Sequence, residues 1–303
     1  MNKIQLILLC IIMSMIMSVH AKKYDLYFLA GQSNMEGFGY IKDLPEELRK
    51  STSRLMIFHG NSKLDNQSGG GLGMWTPIQP GHGTGFQSNG ISNQYSLRFG
   101  PELSFAHSIL EATDRRVAII KYATGGTGLS TGVGFGNWAP DFSIGAGINQ
   151  YDHALTTIKA ALYDQDIDND GINDTLIPRG IIWMQGEADA HHSKEAAEAY
   201  QRQLTRLMDL LRAALHTDDL PVIIGRSSKP ANGGEQGMMP YVDIVQKGQE
   251  QFTQNDPCAT YIKEFEPFDR TDGGWHYTSD GYIKMGQAFA REVLKLQKTC
   301  KGQ

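Results

Sequence analysis

Five short runs, largely apolar, punctuate this 303-residue chain, at residues 24–30, 117–122, 180–184, 221–226 and 260–265. A strand that is apolar at consecutive positions, and not only at alternate ones, needs cover on both faces, which is the situation of a parallel strand between layers of helices. The intervening segments supply that cover. Helical periodicity is legible at residues 102–112, 151–163, 193–215, 242–252 and 279–296. In the third of these, Tyr200, Leu204, Leu207, Leu211 and Leu215 fall on one stripe, and Ser193 is placed to cap its start. The alternation predicts an α/β fold, a three-layer α/β/α sandwich around a five-stranded, mostly parallel sheet.

Residues 1–21 do not belong to that pattern. Lys3 precedes an apolar run from Ile4 to Val19, and small residues lead to Ala21. This is the layout of a secretory signal peptide cut after Ala21. It predicts a secreted or periplasmic protein, residues 22–303, with no stable membrane anchor after cleavage. With 33 acidic against 28 basic side chains and no Lys/Arg-rich segment, nucleic acid is excluded as the expected partner. Oligomeric state is not legible. Cys258 and Cys300 would lie in a compartment where disulfides persist, and either a bond between them or two free thiols is compatible with the sequence.

Residues 38–99 break the strand–helix rhythm. The segment is rich in Gly, Asn and Ser, with turn signals at 68–73 and 81–85, and reads as a long insertion over one end of the sheet. Ligands in open α/β sheets bind at the carboxyl ends of the strands, so the residues that directly follow each apolar run carry most of the information. The first run leads into Gly31-Gln32-Ser33-Asn34-Met35-Glu36-Gly37, and the fifth is followed by Asp272-Gly273-Gly274-Trp275-His276-Tyr277. A serine hydroxyl becomes a useful nucleophile when an imidazole takes its proton, and the imidazole needs a carboxylate to fix its tautomer. Ser33, His276 and Asp272 offer that set. After the third run come Gln185, Glu187 and Asp189; after the second comes Thr124-Gly125-Gly126-Thr127. Ester hydrolysis builds a tetrahedral oxyanion, and the amides of Ser33 and Gly126 with the side chain of Gln185 are the candidate donors to it. Asp189 reads as a helix cap.

Taken together and in this order, GQSNMEG, FGPELSFA, GGTGL, IIWMQGEAD and DGGWHY resemble the sialate O-acetylesterase-like branch of the SGNH (GDSL-like) hydrolases, which includes carbohydrate esterase family 6. The resemblance spans about residues 24–296. It implies a flavodoxin-like SGNH hydrolase fold, Ser33 as nucleophile, His276 as base, Gly126 and Gln185 as oxyanion donors, no cofactor for catalysis, and an acetylated carbohydrate as substrate: xylan, sialic acid or another acetylated glycan. One position departs from the family's Asp-x-x-His pattern: Gly273 stands three residues before His276 and Asp272 stands four. Either Asp272 reaches the imidazole across a loop one residue longer, or Glu187 takes its place.

A separate motif, Asp166-Ile167-Asp168-Asn169-Asp170-Gly171-Ile172-Asn173-Asp174, gathers alternating carboxylates around a glycine turn within the loop 164–174. Asp166, Asp168, Asp170 and Asp174 are the expected ligands of a structural Ca²⁺, although Ile177 replaces the glutamate that would complete an EF-hand. His191 and His192 lack a companion set with metal-ligand spacing and read as a solvated helix start. Trp75 and Trp138 read either as sugar-stacking rings or as packing. Two functions of different class follow: a serine esterase, or a carbohydrate-binding protein that keeps the fold with weakened catalysis.

Overall fold

A computed structural model of the protein describes residues 20–142, 147–227, 229 and 238–300. The expected signal segment lies almost wholly outside the described residues. Among the described residues no helix is long and apolar enough to cross a membrane.

The central sheet has seven strands, in chain order β1 (Lys23–Gly31), β2 (Leu55–His59), β3 (Trp75–Pro77), β4 (Arg116–Ala123), β5 (Thr175–Met184), β6 (Val222–Gly225) and β7 (Ala259–Ile262). Their spatial order is β7-β6-β5-β1-β4-β2-β3, parallel throughout except for β3, which pairs antiparallel with β2 at one edge. The five expected strands are all present within a residue or two, apart from β5, which begins earlier, and β7, which ends earlier. The two extra strands lie in the segment read as an insertion. Leu55–His59 is fully buried and pairs with β4, so it belongs to the sheet and not to an insertion over its end. No amphipathic helix flanks it between β1 and Glu102, so the strand–helix alternation gives no sign of it.

Along β1 the side chains alternate between two cores. Tyr24, Leu26, Phe28 and Ala30 pack on one face with Ala154, Ile158, Leu204 and Val245. Tyr27 and Leu29 pack on the other with Leu103, Phe105, Met285 and Phe289. The helices that cover the faces are α2 (Glu102–Thr113), α3 (Gln150–Tyr163), α5 (Lys194–Ala214), α6 (Val242–Asn255) and α7 (Ser279–Thr299), while α1 (Ser33–Glu36) and α4 (Glu187–His192) are short turns at the sheet edge. On α5 the stripe from Tyr200 to Leu215 is buried as expected, and Ser193 Oγ accepts the Ala196 amide at 3.2 Å. Pro178 lies within β5, where it cannot donate to the ladder, and the β1–β5 register shifts there. Cys258 and Cys300 are joined in a disulfide, with Cα atoms 5.2 Å apart, tying the start of β7 to the end of α7.

Candidate active site

At the carboxyl end of β1 the chain turns through Gly31, whose φ is 148°. A Cβ at this position would stand 2.0 Å from the Met184 carbonyl oxygen, so only glycine lets β1 and β5 lie this close where they end. Gln32 fastens the same junction. Its amide donates to Met184 O at 2.9 Å, and its Oε1 accepts the amides of Gly186 and Ala188 at 3.3 and 3.2 Å. Ser33 then opens the single turn α1, 7% exposed, on the wall of a cleft of about 510 Å³ that is also lined by His276, Gly126, Phe38, Phe135 and Trp275. Among the described residues the amides of Ser33 and Gly126 donate to no protein acceptor.

Two groups of contacts hold the walls in place. Glu36 Oε2 accepts the Gly125 amide at 2.7 Å, fixing the loop after β4 against α1; burial pushes this carboxyl above its ordinary value. The Glu36 carbonyl in turn accepts from Lys121 Nζ at 2.8 Å, and Lys121 is itself fully buried against Glu102 at 2.7 Å. On the opposite side, Asn34 Nδ2 donates to Glu187 Oε1 at 2.9 Å and to the Trp275 carbonyl at 3.1 Å, while Asn34 Oδ1 accepts from Tyr282 OH at 2.9 Å. Asn34 thereby joins the serine turn, the start of α4 and the segment that carries His276.

His276 stacks on Phe38, centroids 3.6 Å apart and planes within 6°. It lies in a two-residue antiparallel ladder in which Thr271 is paired with His276 and Arg270 with Tyr277. Gly273 and Gly274 close that ladder with φ of 66° and 108°, so the extra residue of the sequence is taken up in a tight turn only glycines adopt readily. The backbone of Asp272 therefore stands next to the imidazole's own strand; its side chain lies outside the described residues. Glu187 is 1% exposed, and its Oε2 has no partner among the described residues.

Gln185 departs from expectation. It is fully buried, and its Nε2 donates to Thr127 O at 3.0 Å and to Asp189 Oδ2 at 2.7 Å, so both amide hydrogens are committed inside the protein and not aimed at the cleft. Nor does Asp189 merely cap a helix. Its carboxylate accepts the Leu129 amide at 3.0 and 3.1 Å and the Ser130 amide at 3.3 Å, and burial pushes it up to about 6. Gln185 and Asp189 together pin the loop after β4 to the end of β5.

Trp75 and Trp138 are core residues, 2% and 1% exposed, and offer no ring to a sugar. The rings at the cleft are Phe38, Phe135 and Trp275. Phe135, 81% exposed, lies against Gly126. His191 and His192 are exposed, as expected, but they stand in the last turn of α4 and not at a helix start; both also line the cleft, and His191 meets Trp275 edge-on at 5.3 Å. Phe38 and Phe135 carried no sequence signal, because their placement depends on loop paths and not on periodicity.

In the aspartate loop, Asp166, Asp168 and Asp170 each offer an oxygen within 4.8 Å of the others. Lys22 Nζ sits among them, 2.9 Å from Asp168 and bonded also to Asp170, and the Lys22 amide donates to Asp174 Oδ1 at 2.8 Å. Asp166 accepts the amides of Asp170 and Gly171, both at 2.9 Å. The donor set is hard oxygen, suited to Ca²⁺, but one cation of the protein's own already neutralises two of its members.

A family model described as carbohydrate esterase, sialic acid-specific acetylesterase, matches residues 23–295. The chain belongs to this family. It is accordingly a carbohydrate O-acetylesterase. Among solved structures, a protein from Arabidopsis thaliana is similar with a TM-score of 0.61 and 16% identity, covering 91% of this chain and 99% of that one. NanS is similar with a TM-score of 0.58 and 16% identity, covering 92% of this chain and 99% of its own. A carbohydrate acetylesterase from Xanthomonas citri gives a TM-score of 0.58 and 17% identity; the match covers 90% of this esterase and 56% of that larger chain. At such identities these likenesses establish the SGNH-type fold. No curated protein matches the sequence significantly.

Proposed function

We propose that this esterase removes O-acetyl groups from a neutral sugar unit of a glycan through an acetyl-enzyme on Ser33. The observation that carries the reading is the convergence of Ser33, His276 and the Gly126 backbone on one cleft at the carboxyl edge of the sheet. Ser33 Oγ attacks the acetyl carbonyl as His276 takes its proton; the amides of Ser33 and Gly126, with no protein acceptor among the described residues, meet the oxyanion; His276 returns the proton to the departing sugar oxygen. Water activated by His276 then releases acetate and restores Ser33. Gln185 acts in this scheme by holding the Gly126 loop.

The preference for a neutral sugar follows from charge. Among the described residues that line the cleft there is no Lys or Arg. A sialic acid carries a carboxylate, and a charge-assisted hydrogen bond to it contributes about 1.5–3 kcal/mol. Without that contact, kcat/KM on O-acetylated sialic acid should not exceed that on acetylated xylo-oligosaccharides. Acetate release assayed on both substrates checks this; a preference for the sialic acid would refute it.

The aspartate loop is proposed to take a structural Ca²⁺ in competition with the Lys22 ammonium, in an exported chain that meets calcium outside the cell. A ligand bound only by the native state at a hundred times its Kd stabilises by about 2.7 kcal/mol, which for a chain of this size is about 5 °C in Tm. Chelator should lower the melting temperature by that order and Ca²⁺ restore it, with small-ester turnover unchanged below the transition. Melting indifferent to both would leave the loop to the Lys22 ammonium.

A further inference from the structure

The loop that follows β2 and the hairpin of Gln87–Ser88 with Asn93–Gln94 enclose a second cleft, of about 420 Å³, which shares no lining residue with the first. Its walls present amides and hydroxyls, from Asn61, Ser68, Gln87, Asn93 and Gln94, over the apolar side chain of Leu72. Among its described lining residues there is no carboxylate and no ring, and Lys63 is the single cation. The fold does not use these amides. Both polar atoms of the Asn93 side chain are buried without a partner, and the exposed side chains of Gln87 and Gln94 make no hydrogen bond among the described residues. Asn89 behaves differently: its Oδ1 accepts the amides of Ile91 and Ser92 at 2.9 and 2.8 Å, fixing the hairpin turn and so the aim of the residues on either side.

A primary amide offers a donor and an acceptor side by side, and so does a sugar hydroxyl; a lining of amides with almost no charge matches a ring of neutral hydroxyls and little else. We infer that this cleft is a carbohydrate subsite that binds a neutral, deacetylated sugar unit of the glycan. The inference rests on the proposed reading in that the sugar belongs to the same polymer as the acetyl group. Asn61 follows β2 as Ser33 follows β1, at the same edge of the sheet, and the two strands are separated only by β4, about 10 Å at roughly 4.8 Å per strand. A chain of sugars can therefore engage both clefts at once.

The test uses the full chain carrying Ser33→Ala, so that hydrolysis does not intervene, run through native gels containing deacetylated xylan, mannan or mixed-linkage glucan. At least one polymer should retard it, and Gln87→Ala with Gln94→Ala, exposed positions whose loss leaves the fold intact, should weaken that affinity roughly ten-fold. Asn93→Ala should act in the same direction. In the Ser33 background the same substitutions should leave kcat/KM on a small acetyl ester unchanged and raise KM on the acetylated polymer. Absence of retardation by every polymer, or retardation unaltered by the double substitution, would overturn the inference. Retardation intact in a protein whose parent is inactive on small esters would instead count against the esterase reading and leave the subsite standing.

Discussion

Ser33→Ala is expected to reduce kcat on a small acetyl ester by a factor on the order of 10⁶, the loss typical of a nucleophile removed from a serine triad, with the melting temperature retained. The retention follows from the position of the side chain. Ser33 lies on the wall of the cleft, and its hydroxyl makes no hydrogen bond among the described residues, whereas the neighbouring Gln32 and Asn34 side chains hold the site together. Replacing either neighbour should therefore cost stability as well as rate. Replacing Ser33 should cost rate alone. Hydrolysis measured by acetate release, beside thermal melting of the same samples, separates the two effects; a variant that keeps turnover within a few fold of the parent would remove Ser33 from the mechanism.

The second large effect concerns the acid that orients His276. Asp272 is expected to fill this role, because the ladder that pairs Thr271 with His276 returns the chain beside the imidazole, and the two positive-φ glycines absorb the additional residue. Asp272→Asn should lower kcat by about 10⁴, as loss of the acid does in a serine triad. Glu187→Gln should be milder. Glu187 Oε1 is bonded to Asn34, and through Asn34 it braces the Trp275 carbonyl, so its effect on His276 is one of position. Steady-state kinetics of the two variants on one substrate decide the matter: the reverse order would give Glu187 the orienting role, and equal large losses would mean that both carboxylates hold the imidazole.

Much of this arrangement was legible because the fold places chemistry at strand ends, and strand ends can be read from apolar runs. Ser33, Gly126 and Glu187 each follow such a run directly, and His276 lies in the segment between the last run and the last helix. What escaped the sequence has two physical sources. Leu55–His59 is longer than β6 or β7, but no amphipathic helix precedes or follows it before Glu102, so the strand–helix alternation that marks the other strands gives no cue there. The second source is side-chain direction. Gln185 stands at the sheet edge, as its spacing required, but one rotation about its side chain sends the amide to Thr127 and Asp189 and not to the substrate. Phe38, Phe135 and Trp275 reach the cleft only because loops bring them there, whereas Trp75 and Trp138, in equally Gly-rich sequence, turn into the core. Periodicity contains no information on either choice.

The central claim is that acetyl transfer passes through Ser33, and it is tested most directly by stopping turnover of a small acetyl ester with acid and mapping the quenched protein by mass spectrometry. The account predicts an acetyl group on the peptide containing Ser33, formed faster than acetate is released in the steady state and absent from Ser33→Ala. Full turnover with no adduct at any time point, together with an active Ser33→Ala protein, would contradict it.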